Sequence, residues 1–151
     1  MPATATTPRQ AFEALIGHIS AGRWEQIADL YAEDTVVEIA FALPAPARIE
    51  GREQLRAHFA TATDAGVEME ARNVRVHETA DPEVIVAEYD YYGRVSSTGR
   101  GFDVANVQIL TVRDGLIVAS RDFHNHPAIA AATGQLPALV AALESPAQAG
   151  Q

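Results

Sequence analysis

Residues 112–127 read V-R-D-G-L-I-V-A-S-R-D-F-H-N-H-P, and the fold prediction depends on the turn and the strand that they contain. Asp114 and Gly115 are typical of a tight hairpin turn, because both tolerate a left-handed backbone. An apolar strand follows and ends in ionisable side chains. Strand alternation places on one face Ser120, Asp122, His124 and His126, and on the other Ile117, Ala119, Arg121 and Phe123. On a cavity wall the first face would present an acid–base pair; in water it would be a charged strand end.

The N-terminal part of the chain has the signature of a helix start. Thr7 can cap a helix whose first residue is Pro8, and Gln10 stands three residues after the cap. Apolar residues then recur at helical spacing until Gly22, which is a typical helix stop. The sequence therefore predicts a first helix that packs one apolar face against a core.

The remaining segments alternate between helical and strand patterns. Helical spacing predicts further helices over residues 24–31, 52–62 and 127–143, the last with a break near Gly134 and Pro137. Alternation and β-branched residues predict strands over residues 35–41, 67–77, 84–95, 101–112 and from 116 onward. Helices segregated from a run of hairpin-connected strands indicate an α+β fold with the helices on one sheet face. A single domain is expected over residues 1–151, with flexible ends at 1–6 and 145–151.

Composition limits the classes of function. The chain has 151 residues, 48% of them hydrophobic and 21% charged, as in ordinary globular proteins. A net charge of −9 argues against nucleic acid as a partner, because phosphate binding needs clustered cations. The absence of Cys excludes disulfides, thiolate metal sites and a Cys nucleophile. The sequence predicts neither a signal peptide nor a membrane helix. A cytoplasmic location without a membrane partner is therefore expected.

Several segments together resemble a known family. They read G-R-W at residues 22–24, D-L-Y-A-E-D-T-V-V-E at 29–38, I-E-G-R-E at 49–53, V-R-D-G-L-I-V at 112–118 and R-D-F-H at 121–124. The combination resembles the SnoaL-like polyketide cyclase branch of the nuclear transport factor 2-like superfamily, to which ketosteroid isomerase, scytalone dehydratase and limonene epoxide hydrolase also belong. The similarity extends over roughly residues 9–143.

The resemblance implies an architecture as well as a chemistry. The expected fold is a cone-shaped, curved antiparallel sheet that wraps the N-terminal helices and leaves a deep pocket open at one end. Relatives of this kind usually form homodimers through the outer sheet face. The implied partner is a small apolar molecule, and the implied chemistry needs no cofactor. The fold alone does not define an activity, because it hosts many chemistries and some members that only bind.

The ketosteroid isomerase branch does not transfer to this chain residue by residue. Its general-base Asp corresponds to Ile39, its oxyanion Tyr falls near Leu15, and its protonated Asp falls near Gln108. All three isomerase side chains are therefore absent, and steroid isomerase chemistry with that geometry is not expected. The resemblance still predicts that Ile39 and Leu15 contact a bound substrate.

The cyclase branch places a general-base Asp on the last strand, and Asp122 matches that position. His124 lies two residues further on, toward the pocket mouth, and would orient the substrate or return a proton. Strand alternation adds as polar lining residues Asn106, Gln108, Tyr89 and Tyr91. In this interpretation Asn106 or Gln108, with a Tyr hydroxyl, would stabilise an enolate oxygen.

Each of these residues also has a purely structural interpretation. Asp122 could be an exposed carboxylate paired with an Arg. His124 could cap a helix or contact a second subunit. The buried amides of Asn106 and Gln108 could simply bind Tyr hydroxyls, since buried amides need partners. His126 is expected to organise the turn into the last helix, and His18, His58 and His77 are assigned to the surface.

Three hypotheses for function remain open. The first is an acid–base cyclase, isomerase or dehydratase acting on a small carbonyl or polyketide-like compound. The second is a non-catalytic ligand-binding or dimerisation module, which predicts a shallow or filled pocket without a carboxylate at depth. An epoxide hydrolase is less favoured, because it needs an Arg with two carboxylates and Arg121 alternates away from Asp122. No metal is predicted, since two His beside one Asp on a strand is a weak zinc pattern.

Overall fold

The computed structural model describes residues 6–145. In chain order the helices are α1 (Pro8–Ser20), α2 (Trp24–Ile27), α3 (Arg52–Ala65), α4 (His126–Ala132) and α5 (Leu136–Leu143). The strands are β1 (Tyr31–Ile39), β2 (Ala47–Glu50), β3 (Val67–Glu78), β4 (Val84–Val95), β5 (Arg100–Arg113) and β6 (Leu116–His124). Apart from Thr6 and Ser145, the ends expected to be flexible lie outside the described residues.

One six-stranded sheet has the strand order β2-β1-β6-β5-β4-β3. The meander predicted from the sequence is present, because β3 to β6 are joined by consecutive antiparallel pairings. One pairing differs from the antiparallel sheet that was expected, since β1 runs parallel to β6. β6 reaches β1 only after the whole meander, so no hairpin turn joins the two strands and they are free to pair in parallel.

The first strand and its neighbour depart from the predicted boundaries. β1 begins at Tyr31, within the segment predicted as the second helix, and α2 already ends at Ile27. A turn of 3₁₀ helix, Ala28–Leu30, joins them. β2 was not predicted, because its four residues are too few to show a period. It pairs antiparallel with β1, with Val37 opposite Ile49.

The predicted helix caps are present. The Thr7 hydroxyl accepts a hydrogen bond from the Gln10 backbone at 3.1 Å, and the Gln10 side chain accepts one from the Thr7 backbone at 3.0 Å. α3 continues three residues past the predicted end and stops at Gly66, whose φ of 69° is left-handed. Glycine adopts that conformation without a steric penalty, which explains why the helix ends there.

The core lies between the helices and the inner face of the sheet. From α1 the side chains of Phe12, Leu15 and Ile19 are buried, at the helical spacing seen in the sequence. Phe12 packs against Tyr89 of β4 with ring centroids 5.3 Å apart. Each such apolar side chain contributes about 1.5–3 kcal/mol by leaving water. The packing of α1 therefore anchors one wall of the molecule.

β6 contains a bulge that reverses part of the predicted alternation. The pairing of β6 with β5 skips Val118. An extra residue in a strand turns the side chains before it to the opposite face, and Ile117 is fully buried in the core. The prediction that Ile117 shares the outer face with Arg121 is therefore wrong. Beyond the bulge the alternation holds, and Asp122 and His124 face the interior.

Over residues 6–145 the helices are too short or too polar to cross a lipid bilayer.

Candidate active site

A cavity of about 300 Å³ opens between the inner sheet face and helices α1, α3 and α4. Its wall is mostly apolar and includes Leu15, Ile39, Leu55, Phe59, Val104 and Ile129. The volume lies at the small end of the range for ligand pockets in proteins. The cavity can therefore hold a compact molecule with a largely apolar skeleton.

Asp122 supplies the carboxylate of this cavity. It lies near the end of β6, directly between Ile39 of β1 and Gln108 of β5 in the strand register. Its side chain is only 15% exposed. Burial raises the pKa of Asp122 from an ordinary 3.8 to about 6, while the hydrogen bond from Ser120 and the nearby amide of Gln108 act in the opposite direction. The carboxylate is thus a stronger base than one in water and is still ionised at neutral pH.

A chain of hydrogen bonds ends on one oxygen of this carboxylate. The Tyr89 hydroxyl donates to Gln108 Oε1 at 3.1 Å, and Gln108 Nε2 donates to Ser120 Oγ at 3.0 Å. The Ser120 hydroxyl in turn donates to Asp122 Oδ1. Because every donor points the same way, Oδ1 is held in place and Oδ2 is left for the cavity.

His124 stands beside Asp122, with its side chain 20% exposed. Its Nδ1 is 2.7 Å from Asn106 Oδ1, and its Nε2 is 4.0 Å from Asp122 Oδ2. Burial, together with the nearby His58, lowers the pKa of His124 to about 4. The imidazole is therefore neutral at neutral pH.

His58 of α3 is exposed to solvent, as the sequence predicted, and it also lines the cavity, which the sequence did not predict. Partial burial lowers the pKa of His58, and the carboxylate of Asp122 opposes that effect. A signal was available, because Leu55 and Ala62 stand three residues before and four residues after it and line the same cavity.

Two further residues at the cavity were not predicted as site residues. His126 has a buried Nε2 without a hydrogen-bond partner among residues 6–145, and its ring lies 5.8 Å from that of His124. Tyr31 had been assigned to the second helix, but it opens β1 and lines the cavity wall. Burial, and next the charge of Asp122, raise the pKa of Tyr31 well above its usual value, so it remains a donor.

Most of the residues predicted to form the site do line the cavity. They are Asp122, His124, Gln108, Tyr89, Tyr91, Leu15 and Ile39. Asn106 is buried behind His124 and is absent from the cavity wall. On the outer face, Arg121 lies 3.9 Å from Glu38 and Phe123 packs against Phe41.

The described part of the chain has no cluster of three or more His, Asp or Glu side chains arranged to hold a metal ion. Its cavity wall also contains no Arg, and the whole sequence has no Lys. The polar groups on the wall are therefore a carboxylate, three imidazoles, three phenols, an amide, two Thr hydroxyls and the indole N–H of Trp24.

The fold and this pocket define a cone-shaped α+β protein of the nuclear transport factor 2-like class. A family model described as a SnoaL-like domain matches residues 12–120, and the chain belongs to that family. An uncharacterized PhzA/B-like protein of Pseudomonas aeruginosa is 32% identical over 98 residues, which is 64% of this chain and 69% of that protein.

Solved structures show the same fold. A provisionally named isomerase from Bacillus subtilis has a TM-score of 0.77 and 22% identity, with 84% of this chain and 92% of that chain covered. A Catenulispora acidiphila protein with a ketosteroid isomerase-like fold, solved with trimethylamine, has a TM-score of 0.69 and 21% identity, with coverages of 85% and 95%. The cone-shaped fold expected from the sequence is confirmed.

Proposed function

We propose that this chain is a cofactor-independent acid–base enzyme that removes an acidic C–H proton from a small, largely apolar carbonyl compound. Cyclisation, isomerisation and dehydration all begin with this step. The observation that carries the proposal is the buried carboxylate of Asp122, which faces an apolar cavity with one oxygen held and the other free. Asp122 is the general base, and His124 orients the substrate.

The basicity of Asp122 suits this role. A general base works best when its pKa lies near the operating pH, because it is then both ionised and reactive. With a pKa of about 6, Asp122 meets both conditions at neutral pH. The apolar wall removes water from the carboxylate and contacts the carbon skeleton of the substrate.

An enolate formed in the cavity needs a hydrogen-bond donor for its oxygen. Asn106 uses Nδ2 for the carbonyls of Val104 and Tyr89, at 3.1 and 3.5 Å, and Gln108 Nε2 donates to Ser120. The phenols of Tyr31 and Tyr91 line the cavity, and burial raises the pKa of each. We assign the donor role to these phenols, because they stay protonated at neutral pH and the amides are already engaged.

The other two hypotheses receive less support. A module that only binds or dimerises predicts a filled or shallow pocket, whereas a cavity of about 300 Å³ contains the carboxylate of Asp122. An epoxide hydrolase of the related type needs an Arg beside two carboxylates. No Arg lines the cavity within residues 6–145, and Arg121 lies on the outer face.

The assembly proposed for this enzyme is a homodimer formed through the outer sheet face, as the family resemblance implies. Phe41, which is 64% exposed, and its neighbour Phe123 present apolar surface on that face. Exposed aromatic side chains are typical of protein interfaces. A cytoplasmic location remains an expectation from the sequence.

Exchange of α-hydrogens tests the proposed function. Cyclohexanone and 2-tetralone are neutral, compact ketones, and NMR in D₂O follows the loss of their α-proton signals. We expect wild-type protein to accelerate this exchange and Asp122→Asn to lower the rate about 100-fold or more, as for loss of a general base. Asp64→Asn, an exposed carboxylate on α3, should behave as wild type. Absence of acceleration by the wild type, or equal rates in Asp122→Asn, would contradict the proposal.

A further inference from the structure

Two hydrogen-bond acceptors face each other in the cavity. Ser120 donates to Oδ1 of Asp122, which leaves Oδ2 as the oxygen nearest to His124. The distance from Oδ2 to His124 Nε2 is 4.0 Å, which is too long for a direct hydrogen bond. What can occupy the space between these atoms depends on whether Nε2 carries a proton.

Asn106 decides which nitrogen of the neutral His124 ring carries the proton. Its Nδ2 donates to the backbone carbonyls of Val104 and Tyr89, so its Oδ1 must point toward His124. An amide oxygen only accepts, and it lies 2.7 Å from Nδ1. The proton of the neutral imidazole is therefore on Nδ1, and Nε2 presents a lone pair to the cavity. Asn106 is 3% exposed, so water does not compete for this contact.

The surroundings of the two acceptors supply no charged donor. No Arg lines the cavity wall in the described part of the chain, and the sequence contains no Lys. Next to His124, the buried Nε2 of His126 has no hydrogen-bond partner within residues 6–145. A bound anion would meet the carboxylate of Asp122 without a compensating cation, whereas a neutral ligand with a donor would satisfy the free acceptors.

We propose that Asn106 is a positioning residue that holds His124 as a hydrogen-bond acceptor, and that the pocket recognises a neutral ligand through a hydroxyl group placed between Asp122 Oδ2 and His124 Nε2. A phenol presents such a hydroxyl on an apolar skeleton. The inference deepens the proposed function, on which it rests for the identity of the ligand as substrate.

A matched set of ligands tests this recognition without turnover. The probes are 2-naphthol, its methyl ether 2-methoxynaphthalene, and 2-naphthoate, which share one apolar body and differ in the polar group. We expect the naphthol to bind about 10-fold or more tightly than the ether, the value of one hydrogen bond to a charged group. The naphthoate should bind more weakly than either, because Asp122 repels it.

Variants separate the role of Asn106 from general damage to the fold. Asn106→Leu and His124→Phe should each lower the preference for naphthol over the ether by about threefold, because the hydroxyl proton that Asp122 Oδ2 and His124 Nε2 share then has a single acceptor. The control is His77→Phe, which removes an exposed ring paired with Glu88 at 2.7 Å on the outer face and should retain the full preference. Equal affinity of the wild type for naphthol and ether would overturn the proposal.

The ring of His124 can also be observed directly in the wild type. Its ¹⁵N chemical shifts at neutral pH should show a proton on Nδ1 and a lone pair on Nε2, and Asn106→Leu should shift this tautomer balance. A wild-type ring protonated on Nε2 would overturn the inference even if no variant folds. Neither measurement requires catalysis, so the inference can fail while α-hydrogen exchange persists, and the reverse also holds.

Discussion

Asp122 experiences two opposing influences. Burial raises its pKa, while the hydrogen bond from Ser120 and the nearby amide of Gln108 lower it, and the balance lies at about 6. Without these polar partners the pKa of Asp122 would be higher still, and less of the carboxylate would be ionised at neutral pH. The partners therefore favour the ionised form, and burial makes it a stronger base.

The activity should depend on pH through this one residue. We expect kcat/KM for α-hydrogen exchange of 2-tetralone to rise with pH, with a midpoint near the Asp122 pKa of about 6, because the ionised form is the base. His124 has a pKa of about 4 and stays neutral, so it should add no falling limb above the midpoint. Rate profiles from about pH 4.5 to about pH 9 will test this. A midpoint near 4, or a bell-shaped profile centred near 6, would contradict it.

The stability of the protein should depend on pH in the opposite direction from the activity. Because the pKa of Asp122 rises from 3.8 to about 6 on folding, the folded state binds more protons between these values and loses stability as pH rises through them. The shift corresponds to about 3 kcal/mol against the ionised form. We expect Asp122→Asn to be more stable than wild type above the folded pKa by up to about this amount, with no gain below the unfolded pKa.

Urea unfolding at several pH values measures this difference, with Asp64→Asn as the control for loss of an exposed carboxylate. A variant Asp122→Asn that is less stable than wild type at alkaline pH would contradict the account.

Strand periodicity predicted the facing of some residues but not of all. Asp122 and His124 share the inner face because the alternation is regular after the bulge, and residues two positions apart in a regular strand lie on the same face. Ile117 was misplaced because the extra residue Val118 has no signature in the sequence. Helical spacing places His58 near the apolar stripe of α3, but it does not predict that the imidazole lines a cavity.

At the level of elements, features set by neighbouring residues could be predicted from the sequence, whereas pairings between distant segments could not. The capping box at Thr7 and the stop at Gly66 depend on neighbouring residues, and both are present. β2 and the parallel pairing of β1 with β6 depend on contacts between segments that are far apart in the sequence. Periodicity within one segment contains no information about such contacts.

Two glycines test how tightly the elements pack. A Cβ at Gly93 of β4 would lie 2.5 Å from the Glu68 carbonyl oxygen and 2.8 Å from Met69 Cβ, so Gly93→Ala should destabilise by about 1–3 kcal/mol. A Cβ at Gly17 within α1 meets nothing within 4 Å, and Gly17→Ala should stabilise by about 0.5–1 kcal/mol. Urea unfolding measures both. Equal effects of the two substitutions would contradict the packing described for β4.

At the scale of the whole molecule, the site exists because separate elements meet. Leu15 of α1, His58 of α3 and Asp122 of β6 line one cavity, although they are far apart in the sequence. The family resemblance predicted a pocket of this kind and assigned Asp122 to it. Residue patterns alone could not, because both faces of the β5–β6 hairpin are largely apolar.

The outer sheet face should form the subunit interface. Val107 lies on this face of β5, opposite Phe123 of β6, near the centre of the sheet. We expect Val107→Arg to convert a homodimer into a monomer, because two buried guanidinium groups would lack partners across a two-fold interface. Light scattering coupled to size-exclusion chromatography measures the mass. A wild-type monomer, or an unchanged dimer in the variant, would contradict this interface.

The most direct test of the central claim is the titration of the Asp122 carboxyl carbon by ¹³C NMR, assigned by comparison with Asp122→Asn. A buried general base facing the cavity predicts a midpoint at about 6 for this carbon, well separated from the exposed carboxylates of the chain. A midpoint near the ordinary value of 3.8 would show a solvated carboxylate and would contradict the assignment of Asp122 as the base.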